Sequence, residues 1–124
     1  MKPLNKKSAL ELLARIDNGI NCEIQSITPT SATVIDIRIS VQDAGRGYDW
    51  IDIILSFDGV SNARLVEDAK LAYLGMQEGV SIVFEEGLVG FSLGEASTLH
   101  SVKDAALYVL CETLKYEETQ FSGM

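Results

Sequence analysis

Two stretches of strict hydrophobic alternation, residues 33–41 and 48–57, constrain the fold of this chain more than any other feature. Every second side chain in them is apolar: Ile35, Ile37, Ile39 and Val41, then Ile51, Ile53, Leu55 and Phe57. A period of two residues is typical of a strand with one buried face and one solvated face. Residues 43–47, which join the two stretches, contain two glycines. We therefore predict an antiparallel hairpin with a flexible turn.

An amphipathic helix is predicted over residues 9–18. Ser8 and Glu11 have the S-x-x-E spacing of a capping box, in which the serine oxygen accepts a helix N–H and the glutamate reaches back. The apolar side chains at helical spacing are Ala9, Leu12, Leu13, Ile16 and Ile20. Asn18 and Gly19 then favour the left-handed backbone that ends a helix.

Three further strands are predicted on either side of the central hairpin. Residues 22–27 alternate, and one face carries Cys22, Ile24 and Ser26. Residues 80–84 and 88–93 flank Glu85-Glu86-Gly87, a tight connection that predicts a second hairpin. Gly90 lies inside the last of these strands, where glycine indicates a bulge or a close backbone approach.

Two segments fit both the helical and the strand period. Residues 63–74 contain good helix formers but open on a strand-like run, so we predict a mixed segment. Residues 107–116 are rich in strand-favouring side chains, and we predict a closing strand with a C-terminal helix as the alternative. The whole pattern predicts a single α+β domain over residues 1–124, an N-terminal helix followed by a mostly antiparallel sheet of five to seven strands.

The charge balance narrows the classes of partner. Eighteen acidic residues against ten lysines and arginines give a formal net charge of −8, which repels phosphate backbones and anionic lipid. We therefore expect no nucleic acid and no membrane as partners. A negative field attracts basic proteins, and it also keeps a protein soluble. Without a signal peptide or an apolar run of about 20 residues, the expected location is the cytoplasm, where Cys22 and Cys111 stay reduced and buried.

No residue set has the pattern of a catalytic, cofactor or metal site. His100 is the single histidine, and although Ser97 and Ser101 are close in sequence, no nucleophile motif accompanies them. One histidine and two widely separated cysteines do not make a zinc site. The glycines match no phosphate-binding motif. We therefore predict a protein that is not an enzyme and that holds no cofactor.

Pairs of neighbouring acids are the remaining candidates for chemistry. They are Asp49 with Asp52, Glu85 with Glu86, and Glu117 with Glu118. A two-carboxylate or two-metal site needs such a pair in a partly dry pocket. Most of these acids fall on outward strand positions or turns, so we interpret them as solvated surface charge.

One stripe of side chains is the candidate interaction site: Tyr48, Trp50, Asp52 and Ile54. These residues lie opposite the apolar face of their strand. If that face is solvated, the stripe resembles the aromatic anchors of a protein interface with an acid beside them. If the N-terminal helix covers it, the stripe belongs to the core, and this second interpretation is slightly favoured.

The order of these features resembles that of a group of small bacterial proteins. The features are the strand over residues 48–57, the Phe57-Asp58-Gly59-Val60 corner, the glycine-bearing hairpin over residues 80–93 and the terminal Leu114-Lys115-Tyr116-Glu117-Glu118. Some such proteins are similar to immunity proteins of polymorphic toxin systems. The resemblance implies tight binding of a cognate toxin without catalysis, and it assigns no functional residue.

The leading functional hypothesis is therefore a non-enzymatic protein-binding module, an immunity or inhibitor type being its specific form. Its acidic surface would steer a basic partner, while the side chains near Tyr48 and Trp50 would supply anchors. The alternative is a structural protein that forms a homodimer through the same stripe or an edge strand. The sequence does not decide the oligomeric state.

Overall fold

The protein is an α+β domain, as predicted, in a computed structural model that describes residues 1–121 and their side chains except those of residues 68 and 72. Its strands are β1 (Lys2–Pro3), β2 (Glu23–Pro29), β3 (Val34–Asp43), β4 (Asp49–Asp58), β5 (Asn62–Arg64), β6 (Val80–Glu85), β7 (Leu88–Leu93), β8 (Tyr108–Cys111) and β9 (Thr113–Gln120). The helices are α1 (Lys6–Arg15) and α2 (Leu99–Val102), with 3-10 turns at Asp17–Gly19, Ala44–Arg46 and Asp68–Tyr73. In this part of the chain no helix is long and apolar enough to cross a membrane.

The strands form two antiparallel sheets instead of the single sheet expected. The first has the order β1-β9-β4-β3-β2, and the second has the order β5-β8-β7-β6. The nine strands of the described residues exceed the five to seven predicted. The two additional strands are β1, which was not predicted, and one from the C-terminal segment, which was predicted as one closing strand. Glu112 separates it into β8 in the second sheet and β9 in the first, and residues 108–111 and 113–120 are strands, not the alternative helix.

The predicted central hairpin is confirmed. Strands β3 and β4 pair without a break from Val34 opposite Asp58 to Asp43 opposite Asp49. All the inward side chains of the two alternating stretches are buried. Phe57 on β4 meets Phe91 on β7 with ring centroids 5.3 Å apart, so the main core lies between the two sheets.

The N-terminal helix exists, but both predicted ends are wrong by three residues. Asn5 is the N-cap, because its side chain accepts the N–H of Ser8 at 2.8 Å and the hydroxyl of Ser8 accepts the N–H of Asn5 at 2.9 Å. Ser8 is thus the third residue of the helix, not its cap. The helix stops before Ile16, and a 3-10 turn with Asn18 at φ +54° takes up the remaining predicted residues. Asn and Ser cap equally well, and the capping-box spacing alone does not choose between them.

Strand β2 carries a bulge that the alternation did not reveal. The pairing with β3 shifts between Ile24 and Ser26. As a result Ile27, and not Ser26, joins Ile24 in the core, since one extra residue reverses the face of every side chain after it.

Gly90 marks a close approach, one of its two predicted roles. The pairing of β6 and β7 runs through it in register. A Cβ at this position would lie 2.9 Å from Leu99 Cδ2 and 3.1 Å from Val102 Cγ2. Helix α2 therefore packs directly on the outer face of the second sheet. Residues 63–74 form the predicted mixed segment, the short strand β5 followed by a 3-10 turn.

Candidate interaction surface

The outward face of the first sheet carries the predicted interaction stripe. Because side chains alternate along β4, Trp50 and Ile54 point away from the core that Ile51 and Ile53 enter. Trp50 is 37% exposed, and Tyr48, just before the strand, is 64% exposed. Helix α1 contacts strand β6 of the other sheet. The slightly favoured interpretation, in which the N-terminal helix covers this stripe, is therefore wrong for Tyr48 and Trp50.

Tyr48 is held in an unusual backbone conformation by the turn that precedes β4. Its φ is +68°, in the left-handed region that costs a tyrosine about 1 kcal/mol or more. Two hydrogen bonds to Asp43 fix the turn: its carboxylate accepts the N–H of Gly45, and its carbonyl accepts the N–H of Tyr48, both at 2.9 Å. Gln42 Nε2 donates to the carbonyl of Tyr48 at 3.3 Å. The ring of Tyr48 thus projects from an ordered turn.

Trp50 packs against Phe121, a residue that the sequence analysis did not select. The ring centroids are 5.6 Å apart with a tilt of 31°, a favourable geometry for an aromatic pair. A groove of about 680 Å³ lies beside them, with Asp49, Trp50, Glu118 and Phe121 among its walls. We call Tyr48, Trp50, Ile54 and Phe121 the aromatic face. No sequence signal could have selected Phe121, because its contact depends on β9 pairing with β4.

Asp52 is not the exposed acid that the stripe predicted. Its side chain is completely buried although it points outward. Arg38 Nε donates to its Oδ2 at 2.6 Å and Ser40 Oγ donates to its Oδ1 at 2.6 Å, while Gln25 Nε2 donates to Ser40 Oγ at 3.0 Å. These neighbours on β2 and β3 close over the carboxylate. Asp52 is therefore a buried acceptor that holds Arg38 and Ser40 in place on this face. Its interpretation as solvated charge is wrong.

A second buried acid, Asp43 on β3, lies in a charge cluster at the end of the core. The cluster joins β3 to α1, to β9 and to the 3-10 turn at Ala44–Arg46. Arg15, at the end of α1, donates from Nη2 to Asp43 Oδ2 at 2.6 Å and lies 2.7 Å from Glu118 Oε1 on β9. Arg46 lies 3.3 Å from both carboxylates. The hydrogen bond from Arg15 is the main reason that the pKa of Asp43 lies below its ordinary value, despite the burial that acts in the opposite direction. The same contacts raise the pKa of Arg15.

This cluster positions the turn that bears Tyr48, and sequence reasoning missed it. Asp43 was treated as part of a turn, and Arg15 was not selected as a functional residue. The Asp-x-Gly pattern at residues 43–45 does signal an Asx turn. The charge pairing has no such signal, since it joins residues 28 positions apart.

The groups considered for catalysis do not converge. His100 is exposed on α2, and the hydroxyl of Ser101 is engaged in the capping box with Thr98, accepting its N–H at 3.1 Å and donating to its carbonyl at 2.9 Å. Both cysteines are buried free thiols, and burial raises the pKa of each to about 12. Among residues 1–121 no three His, Cys, Asp or Glu side chains are grouped to hold a metal ion.

Other exposed apolar side chains are scattered. They are Met1, Leu10, Ile20, Leu65 and Tyr73. Among the exposed large apolar side chains that the structure describes, only Tyr48 and Trp50 are neighbours on one strand and its turn, with Ile54 and Phe121 beside them. No known protein family, curated protein or solved structure matches the chain.

Proposed function

We propose that the protein is a non-enzymatic binding module that recognises a basic protein through the aromatic face. One observation carries the proposal. Tyr48 is held exposed at a positive φ by the Asp43 turn, next to the half-exposed pair of Trp50 and Phe121. Strained, well-ordered residues at a surface are characteristic of functional sites.

The composition of the face supports binding to a protein. Tyr and Trp are the side chains most often found at the energetic centres of interfaces, because each brings a large rigid surface with one polar group. The turn and the aromatic pair are ordered before any partner arrives. A partner therefore does not have to order them on binding, which improves affinity.

The surrounding charge supports a basic partner. The net charge of −8 attracts a cationic surface over a long distance. Near the face, Asp49 and Glu117 are exposed, and Glu117 lies opposite Ile54 across the β4–β9 pair. Lys115 is the exposed cation on the same face of β9. The positive charge of Arg38 is matched by Asp52, and that of Arg46, which also lines the groove, by Asp43 and Glu118. Local and overall charge therefore have the same sign, an arrangement that speeds association and selects against acidic partners.

The immunity type is the specific form of this proposal. In that form the basic partner is a toxin domain, and binding it blocks its activity. The resemblance of the chain to small bacterial proteins, some of which are similar to immunity proteins, supports this form. Co-expression of the protein with the product of the adjacent gene tests this form. Growth that is restored by the wild type and not by Trp50→Ala would support inhibition of a toxin. If the product of the adjacent gene alone is not toxic, the immunity form is contradicted.

Site-specific photo-cross-linking tests the binding function itself. A photoreactive phenylalanine analogue is placed at residue 48 or 121, and as controls at exposed Leu10 or Tyr73 on other elements. We expect residues 48 and 121 to give one shared cross-linked protein of net positive charge, and the controls not to give it. The same adducts at all four positions, or none at 48 and 121, would contradict the proposal.

Self-association is the competing use of the same face. Two copies meeting there would bring together two chains that each carry a net charge of −8, which opposes the contact at low salt. Native mass spectrometry at micromolar concentration distinguishes the two uses. We expect a monomer, and a dimer abolished by Trp50→Ala would replace the proposal.

A further inference from the structure

The groove beside Trp50 brings an aromatic pair and charged side chains together at the end of the first sheet. It lies between the 3-10 turn at Ala44–Arg46, the start of β4 and the end of β9, and its volume is about 680 Å³. Trp50 and Phe121 supply its aromatic wall, and its charged side chains are Arg46, Asp49 and Glu118. The ligand that the groove fits therefore depends on how these charges are matched.

Two of the three charged side chains belong to the neutral charge cluster around Asp43. Arg46 Nη2 lies 3.3 Å from Glu118 Oε2, and Arg46 Nε lies 3.3 Å from Asp43 Oδ2. Arg15 contacts both of these carboxylates from the other side. The cluster thus pairs two arginines with two acids, and it adds no net charge to the groove.

Asp49 is the acid of the groove that lies outside this cluster. Its side chain is exposed. Among the described side chains it takes part in no ion pair. The groove therefore has one negative charge in excess, and this charge lies next to Trp50 in the sequence.

The aromatic wall carries no cation from the described part of the chain. The cation–ring contact there is that of Arg64 over Tyr108, at 5.4 Å, in the second sheet. The face of an aromatic ring attracts a cation, and Trp attracts it more strongly than Tyr or Phe. The groove thus offers a cation both a half-exposed indole and a carboxylate.

A guanidinium group fits this combination better than an ammonium group does. It is planar, so it can lie flat on a ring while the N–H groups at its edge donate to a carboxylate. An ammonium group is a compact charge that binds water more strongly, and it has no flat face to stack on a ring.

We propose that the groove beside Trp50 receives an arginine side chain of the partner, with the guanidinium stacked on the indole and paired with Asp49. This inference rests on the proposed function and names the side chain that is recognised. It makes Asp49 a specificity-determining residue, whereas the sequence analysis interpreted this acid as solvated surface charge.

Titration of the full chain with Nα-acetyl-arginine amide tests the groove directly. This probe is one arginine residue without terminal charges. Trp50 is the only tryptophan of the protein, so the single indole N–H signal of the NMR spectrum reports on the groove. We expect this signal to move in a saturable way, with a Kd on the order of 10 mM for one side chain. No saturable movement up to ten times that concentration would overturn the inference.

Two matched probes separate charge from shape. The citrulline analogue has the shape of the arginine probe but a neutral head group, and we expect its Kd to be at least about tenfold higher. The lysine analogue carries the same charge on an ammonium group, and we expect its Kd to be about threefold higher. Equal affinity of the citrulline analogue would refute recognition of a cation, and equal affinity of the lysine analogue would refute the preference for guanidinium.

A pair of variants tests the role of Asp49. Asp49→Asn and Glu117→Gln each remove one negative charge from an exposed position, but Glu117 is not a wall of the groove. We expect Asp49→Asn to raise the Kd of the arginine probe about fivefold, the effect of replacing a charged acceptor by a neutral one. Glu117→Gln should raise it less than about twofold, because screening weakens distant charges. Equal increases would refute direct pairing with Asp49.

The titration and the cross-linking experiment fail separately. Cross-linking at residues 48 and 121 detects a partner whatever side chain it inserts, whereas the titration needs no partner. One shared cross-linked protein without a saturable titration would overturn the arginine site and leave the binding function. A saturable titration without a cross-linked protein would do the reverse.

Discussion

Replacement of Asp43 by asparagine tests the charge cluster that holds the Tyr48 turn. The carboxylate of Asp43 has no solvent exposure, while Arg15 and Arg46 keep 37% and 54% of their side-chain surface exposed. Asp43→Asn keeps the shape and an acceptor for Gly45 but removes the charge. Hydrogen bonds to charged groups contribute about 1 kcal/mol more than neutral ones. Two such bonds come from Arg15, whereas the exposed Arg46 adds little.

We therefore expect Asp43→Asn to lower the free energy of unfolding by about 2 kcal/mol at pH 7, which corresponds to about 8 °C in Tm for a chain of this length. Urea unfolding followed by circular dichroism measures it. Asp49→Asn, an exposed acid on the neighbouring strand, is the matched control and should change stability by less than about 0.5 kcal/mol. Equal small losses in both variants would refute the structural role of Asp43.

The pH dependence of the same pair gives a second readout. The pKa of Asp43 in the folded protein lies below its ordinary value of 3.8. Its stabilising contribution is therefore fully present above pH 3.8 and is lost as the pH falls through the lower folded pKa. The difference in stability between wild type and Asp43→Asn should be constant from pH 5 to 7 and shrink below pH 3.8. A difference that grows on acidification would contradict this assignment.

Three further predictions concern packing and chemistry. Gly90→Ala should lower the free energy of unfolding by about 1–3 kcal/mol, because its Cβ would lie 2.9 Å from Leu99 in the middle of β7; urea unfolding measures the loss, and no loss would contradict the close packing. Arg38→Ala removes the 2.6 Å ion pair from buried Asp52 and should lower the free energy of unfolding by about 3 kcal/mol. Lys115→Ala, at an exposed position, should change it little, and equal losses in the two variants would contradict a stabilising role for the ion pair. Both buried thiols, with pKa values of about 12, should react with a thiol reagent only on unfolding, and fast reaction of the native protein would contradict their burial.

The sequence predicted those elements whose pattern is local. The β3–β4 hairpin was predicted because alternation over nearly ten residues in each strand has one interpretation when a short glycine turn follows. The existence of α1 was equally clear. Its ends were not, because Asn5 and Ser8 are both good caps and only the folded backbone shows which side chain reaches which N–H.

The features that the sequence did not predict depend on contacts between residues that are distant in sequence. Division of the strands into two sheets depends on Glu112, where the chain leaves β8 and enters β9, and no turn signal marks that step. Burial of Asp52 depends on Arg38 and Ser40 closing over it from the next strand. The exposure of Tyr48 and Trp50 depends on which face of the sheet the helix covers. Alternation separates the two faces of a strand, but it does not show where the helix packs.

Binding through the aromatic face is tested most directly by the affinity of Trp50→Ala for the cross-linked partner. Isothermal titration calorimetry would compare the Kd of the wild type with those of Trp50→Ala and the exposed control Leu10→Ala. Both variants must first be shown to have the same free energy of unfolding as the wild type. We expect Trp50→Ala to raise Kd about 30-fold, the effect of losing about 2 kcal/mol at the centre of an interface, and Leu10→Ala to leave Kd unchanged. An unchanged Kd for Trp50→Ala would contradict binding through this face.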